Sequence, residues 1–74
     1  MSTPNLANYI ADLTNGCAYL DSQVSANSTD KDKLQMTVDG LKTYLTYTEV
    51  SSSSENLASF NTSITNAENY IATL

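Results

Sequence analysis

The stretch LANYIADLTNGCAYLDSQV, residues 6–24, decides how the rest of the chain is read. Its apolar positions Leu6, Ile10, Leu13, Cys17, Leu20 and Val24 follow steps of 4, 3, 4, 3 and 4. Alternating steps of three and four keep one side of an α-helix apolar, whereas a strand would alternate every second residue. The rhythm recurs twice downstream. Leu34, Val38, Leu41, Leu45 and Thr48 carry it in a second segment, and Leu57, Phe60, Ile64, Ala67, Ile71 and Leu74 carry it in a third. No segment shows a period of two.

Each segment has its own start signal. Thr3 before Pro4 reads as an N-cap with proline at the first helical position, where its missing N–H is not needed. Ser28 or Thr29 is expected to cap the second helix, with Asp30 and Asp32 in a first turn that favours negative charge. Ser52-Ser53-Ser54-Glu55 contains a Ser-x-x-Glu capping box ahead of the third. The connections are short, which turns consecutive helices back on one another. The expected fold is therefore all-α: an up-down-up antiparallel three-helix bundle, helices near 4–26, 30–50 and 54–73, forming a single domain over residues 1–74. Its expected core layers are Ile10/Thr48/Leu57, Leu13/Leu45/Phe60, Cys17/Leu41/Ile64, Leu20/Val38/Ala67 and Val24/Leu34/Ile71. Gly16 is a possible breaking point, but the apolar phase passes through it without a slip.

Composition limits the chemistry. Of 74 residues, ten are Ser, ten Thr and eight Asn, while charged residues make up only 15% against the roughly 25% of an average globular chain. With no His, Trp or Arg, the chain lacks the commonest general base, the commonest metal ligand and the usual phosphate clamp. A net charge of −5 is the wrong sign for tracking a nucleic-acid backbone. Apolar runs of two or three residues exclude a membrane span. The N-terminus has no basic region followed by an apolar run, so no secretion signal is expected and synthesis in the cytoplasm is. A lone Cys17 forms no intrachain disulfide and, lying on the apolar seam without a cation nearby in sequence, reads as core. Within any one helix no acid stands three or four residues from another, so no helix face offers a carboxylate pair for a metal or for acid/base work. Neither a cofactor, a metal nor a small-molecule substrate is expected.

What remains is surface for proteins. Tyr9, Tyr44 and Tyr70 each stand one position before a seam residue, where their rings are expected to cover the core edge while their hydroxyls reach water. Tyr19, Met36, Tyr47 and Val50 fall farther off the seam, and exposed apolar and aromatic groups are the material of contact surfaces. A column of small residues, Thr3, Ala7, Ala11, Thr14, Ala18, Ser22 and Ser25, runs beside the first helix's seam and allows close helix approach. The candidate contact set is thus Ala7, Ala11, Thr14, Ala18, Tyr19, Met36, Tyr47 and Val50. The expected function is that of a small non-enzymatic structural or assembly protein, for example a virion or surface-assembly component. It would dock through helical faces onto itself or onto a protein partner. The alternative is a small acidic inhibitor, such as a phage-encoded one, that blocks a host enzyme.

Overall fold

A computed structural model describes residues 4–53 and 56–74, and all regular structure among them is helical. Helix α1 spans Pro4–Ser25, α2 Lys31–Thr46, α3 Thr48–Ser51 and α4 Ala58–Ile71. The first helix begins at the proline, as its missing N–H allows. The expected Thr3 cap lies outside the described residues. Gly16 does not interrupt α1, and Leu41 of α2 packs directly on it. A methyl group at Gly16 would sit 2.5 Å from Leu41 Cδ2 and 3.2 Å from its Cγ. The glycine therefore lets α1 and α2 approach closely.

Asn27 ends α1 by adopting the left-handed conformation, with φ of 56°. The Ser28 N–H donates to the Gln23 carbonyl at 3.0 Å and the Asn27 N–H to the Val24 carbonyl at 3.1 Å, which together form a Schellman motif. Asp30 itself caps α2, its carboxylate accepting from the Lys33 N–H at 3.2 Å. Ser28 acts one step earlier, its hydroxyl accepting from the Asp30 N–H at 3.3 Å. The cap thus falls just beyond the Ser28 or Thr29 expected from the sequence.

The second helix does not continue to residue 50. It stops at Tyr47, whose ψ of 135° is extended, and a short helix α3 follows. Thr43, Thr46, Thr48 and Val50 are all β-branched and hold a helix weakly. The break also changes what is buried. An unbroken seam would turn Thr48 inward, whereas here Thr48 is exposed and Val50 has no accessible surface. A buried Val side chain contributes about 1.5–3 kcal/mol, which favours the break. The expectation that Val50 lies off the core is corrected accordingly.

The last helix begins at Ala58, four residues after the expected start at 54. Ser54 and Glu55 of that box lie outside the described residues. Instead, Asn56 Oδ1 accepts from the Ala58 N–H at 3.0 Å. The core then comprises Leu13, Cys17 and Leu20 of α1, Leu34, Val38 and Leu41 of α2, Val50, and Ile64, Ala67 and Ile71 of α4. The Cys17/Leu41/Ile64 and Leu20/Val38/Ala67 layers are buried throughout, whereas Ile10, Leu45, Leu57, Phe60 and Val24 are half-buried toward the two ends.

A chain so rich in Ser and Thr stays helical by returning hydroxyls to its own backbone. Thr14, Thr37, Thr43 and Thr62 donate to the carbonyl four residues earlier at 2.8 to 3.0 Å. Their outward surface is thus partly methyl. Among the described residues no helix is long and apolar enough to cross a membrane.

Candidate functional site

One side of the molecule, carried by α1 and α2, holds Met36 and Tyr47, two of the three exposed large hydrophobic side chains among the described residues. Along α1, Tyr9, Asp12, Gly16 and Tyr19 follow steps of 3, 4 and 3; along α2 and into the break, Lys33, Met36, Gly40, Tyr44 and Tyr47 follow 3, 4, 4 and 3. Both spacings place a row on one helical face. Contacts tie the rows together. The rings of Tyr9, Tyr44 and Tyr47 meet with centroids 5.0 to 5.7 Å apart in tilted and edge-on arrangements, the range in which aromatic pairs attract. Tyr44 donates its hydroxyl to Asp12 Oδ2 at 2.7 Å. At the other end of the rows the Lys33 ammonium stands 5.4 Å from the Tyr19 ring centroid, a cation–π contact.

Two of the three tyrosine hydroxyls expected to reach water are engaged by protein instead. The Tyr44 contact holds its phenol above the ordinary value, first through the hydrogen bond to Asp12, then through partial desolvation and the carboxylate's charge. Tyr70, on α4, donates to the Ser28 carbonyl and so fastens the α1–α2 connection to the last helix.

The structure divides the candidate contact residues among three places. Tyr19, Met36 and Tyr47 lie on the α1/α2 face, with Met36 at 74% exposure and Tyr47 at 37%. Ala7, Ala11, Thr14 and Ala18 are exposed, but their row is turned about 150° around α1 from the tyrosine row. Val50 is in the core. The tyrosine face also contains residues the sequence reading did not select: Tyr9, Asp12, Lys33, Gly40 and Tyr44. Their signal was the spacing of Met36, Gly40, Tyr44 and Tyr47, which is legible in the sequence. What the sequence lacks is the axial alignment of α1 against α2 that brings Tyr9 to Tyr47.

A second feature is an open groove of about 600 Å³ between α1 and α4. It is lined by Asp21, Val24 and Ser25 on one bank and by Ser59, Thr62, Ser63 and Asn66 on the other. Ser63 donates to Asp21 Oδ2 at 3.2 Å across it. Its chemistry is one carboxylate with hydroxyls and an amide. Beneath it Cys17 is 5% exposed, its thiol directed at the Phe60 carbonyl 3.8 Å away. Burial, and then the charge of Asp21, push that thiol up, against a smaller opposing effect of a Ser63 hydrogen bond. A raised thiol is a poor nucleophile at neutral pH. Among the described residues no three metal-ligating side chains gather in one place.

Compared with protein-family models, with curated proteins and with solved structures, the chain matches none.

Proposed function

We propose that this chain is a small non-enzymatic assembly protein, a single up-down-up three-helix bundle whose helical faces dock onto another protein surface, its own copy or a different partner. The pairings support the bundle reading: partners of α1 descend along α2, from Tyr47 and Tyr44 beside Tyr9 and Asp12 to Lys33 beside Tyr19, and ascend along α4, from Phe60 beside Cys17 to Ser63 beside Asp21. The observation that carries the functional reading is the α1/α2 face. Contact surfaces are enriched in Tyr and Met and depleted in Glu and Lys, and this face holds four of the five tyrosines with the 74%-exposed Met36. A component of a virion or of a surface assembly fits this description. The acidic inhibitor remains the second reading, favoured by the net charge of −5.

Two measurements test the proposal together. Light scattering over roughly a hundredfold range of concentration reads self-docking, and co-purification from host extract reads docking to another protein. The expected result is growth in mass, or a stoichiometric partner lost on Met36→Lys. A constant mass of 8.0 kDa with no partner defeats it. One captured enzyme, inhibited on binding, moves the answer to the second reading.

A further inference from the structure

The two glycines of the α1/α2 face differ in a way that points to what covers it. Gly16 is filled by Leu41, whereas nothing lies within 4 Å of the place a Cβ would occupy at Gly40. Gly40 is exposed in the interior of the 16-residue helix α2, where packing within the chain gives glycine no advantage over alanine. Around it the row is symmetric. Met36 stands four residues before and Tyr44 four after; Lys33 stands seven before and Tyr47 seven after.

We propose that a second copy of this chain docks on the α1/α2 face, antiparallel, about a two-fold axis that passes at Gly40. The inference rests on the docking reading above and names its partner. In such a contact the position four residues before the axis meets the position four after it on the other copy. Met36 then packs against the second copy's Tyr44, a sulfur–aromatic contact, and Lys33 approaches the second copy's Tyr47. The bare Gly40 lets the two α2 backbones come together where they cross.

Charge selects the orientation. Copies carrying −5 each repel unless unlike groups meet. On this face Asp12 lies beside Tyr44 and Lys33 lies over Tyr19, at opposite ends of the rows. Antiparallel docking brings each Asp12 toward the end of the other copy that carries Lys33 and Tyr19, while parallel docking gathers both Asp12 at one end and both Lys33 at the other. Area selects the side over the end. The molecule measures 44 × 16 × 16 Å, so the outline of a side is roughly 700 Å² and that of an end roughly 250 Å², and only a side approaches the about 800 Å² that each partner buries in a standard interface.

The test is light scattering of the intact chain across the same concentration range, with three variants. Gly40→Leu, which has open space and favours the helix, is expected to leave the monomer folded and weaken association about tenfold or more. Lys33→Asp is expected to weaken it as well, and Lys33→Asp combined with Asp12→Lys to recover most of the loss. A mass of 8.0 kDa at every concentration overturns the proposal and leaves the docking reading to the co-purification result. Association that grows with concentration but ignores Gly40→Leu and both charge variants also overturns it, while keeping self-docking through another face.

Discussion

At the scale of single residues the two glycines make opposite predictions from the same helix propensity. Replacing either by Ala gains about 1 kcal/mol in a helix interior. At Gly40 nothing opposes the gain, so Gly40→Ala is expected to raise the melting temperature of the monomer by about 4–8 °C. At Gly16 the new methyl collides with Leu41, which is itself buried and has little freedom to move. Overpacking of this kind costs about 1–3 kcal/mol, so Gly16→Ala is expected to lower the melting temperature despite the better propensity. Thermal melts at low concentration compare the pair directly. Tyr44 predicts a pH dependence. Its raised pKa means that the folded state holds the phenolic proton more tightly than the unfolded state does. The contribution is complete below the unfolded pKa near 10 and is lost as pH rises through the folded value. Cys17 acts with the same sign from about pH 9, because its thiol is also raised in the fold. Urea midpoints should therefore fall as pH rises from about 9 and on above about 10, and Tyr44→Phe should flatten the upper part of that fall.

At the scale of elements the decisive feature is the break at Tyr47. If α2 ran on to residue 50, Thr48 would face the core and Val50 the solvent. With the break, Val50→Ala is expected to cost about 2 kcal/mol and Thr48→Ala less than about 0.5 kcal/mol. Denaturant melts of the two variants separate the arrangements, and the reverse order of costs would contradict the break. This element also marks the boundary of what the sequence makes legible. The seam, the continuity of α1 through Gly16 and the burial of the six residues of the two middle expected layers follow from spacing alone, because Leu13 to Leu20, Leu34 to Leu41 and Ile64 to Ile71 keep one helical phase. The break does not, since Thr48 and Val50 are equally compatible with a helix locally. Only the tertiary preference for burying Val rather than Thr separates them. The start of α4 was hidden for a related reason. Ser51 to Ser54 and Asn56 are all chemically able to cap, yet the backbone path puts Leu57 at the N-cap and leaves Asn56, one residue earlier, to accept from the Ala58 N–H. The off-seam positions of Tyr19, Met36 and Tyr47 were legible as well. Their assembly with Tyr9 and Tyr44 depends on the alignment set by the Asn27 turn and the Asp30 cap.

At the scale of the whole molecule, a 74-residue chain has little stability to spare. Among the described residues ten hydrophobic side chains are buried along a molecule 44 Å long, and no disulfide supplements them. Cys17, Leu41 and Ile64 are buried in one core cluster, one from each of the three longer helices, and Gly16 allows Leu41 to pack directly on α1. A carboxylate placed there has no cation to meet, since Lys42 is exposed and already paired with Glu68 at 3.0 Å, and Lys31 and Lys33 lie on exposed positions of the first turn of α2. Burying an unpaired charge costs several kcal/mol, comparable with the total of about 5 kcal/mol expected for a domain of this size. Ile64→Asp is therefore expected to abolish the fold cooperatively, with helicity lost from all elements at 25 °C rather than from α4 alone. Leu74→Asp is the matched control. Leu74 continues the same apolar rhythm but is 41% exposed beyond the end of α4, so its carboxylate stays hydrated and the change should cost less than about 1 kcal/mol. Circular dichroism of the two variants reads the difference. A folded Ile64→Asp chain would show that the helices hold together without Ile64 in their core, and the molecule would then have to draw its cohesion from its ends, the tyrosine cluster at one and the Tyr70 clasp on Ser28 at the other.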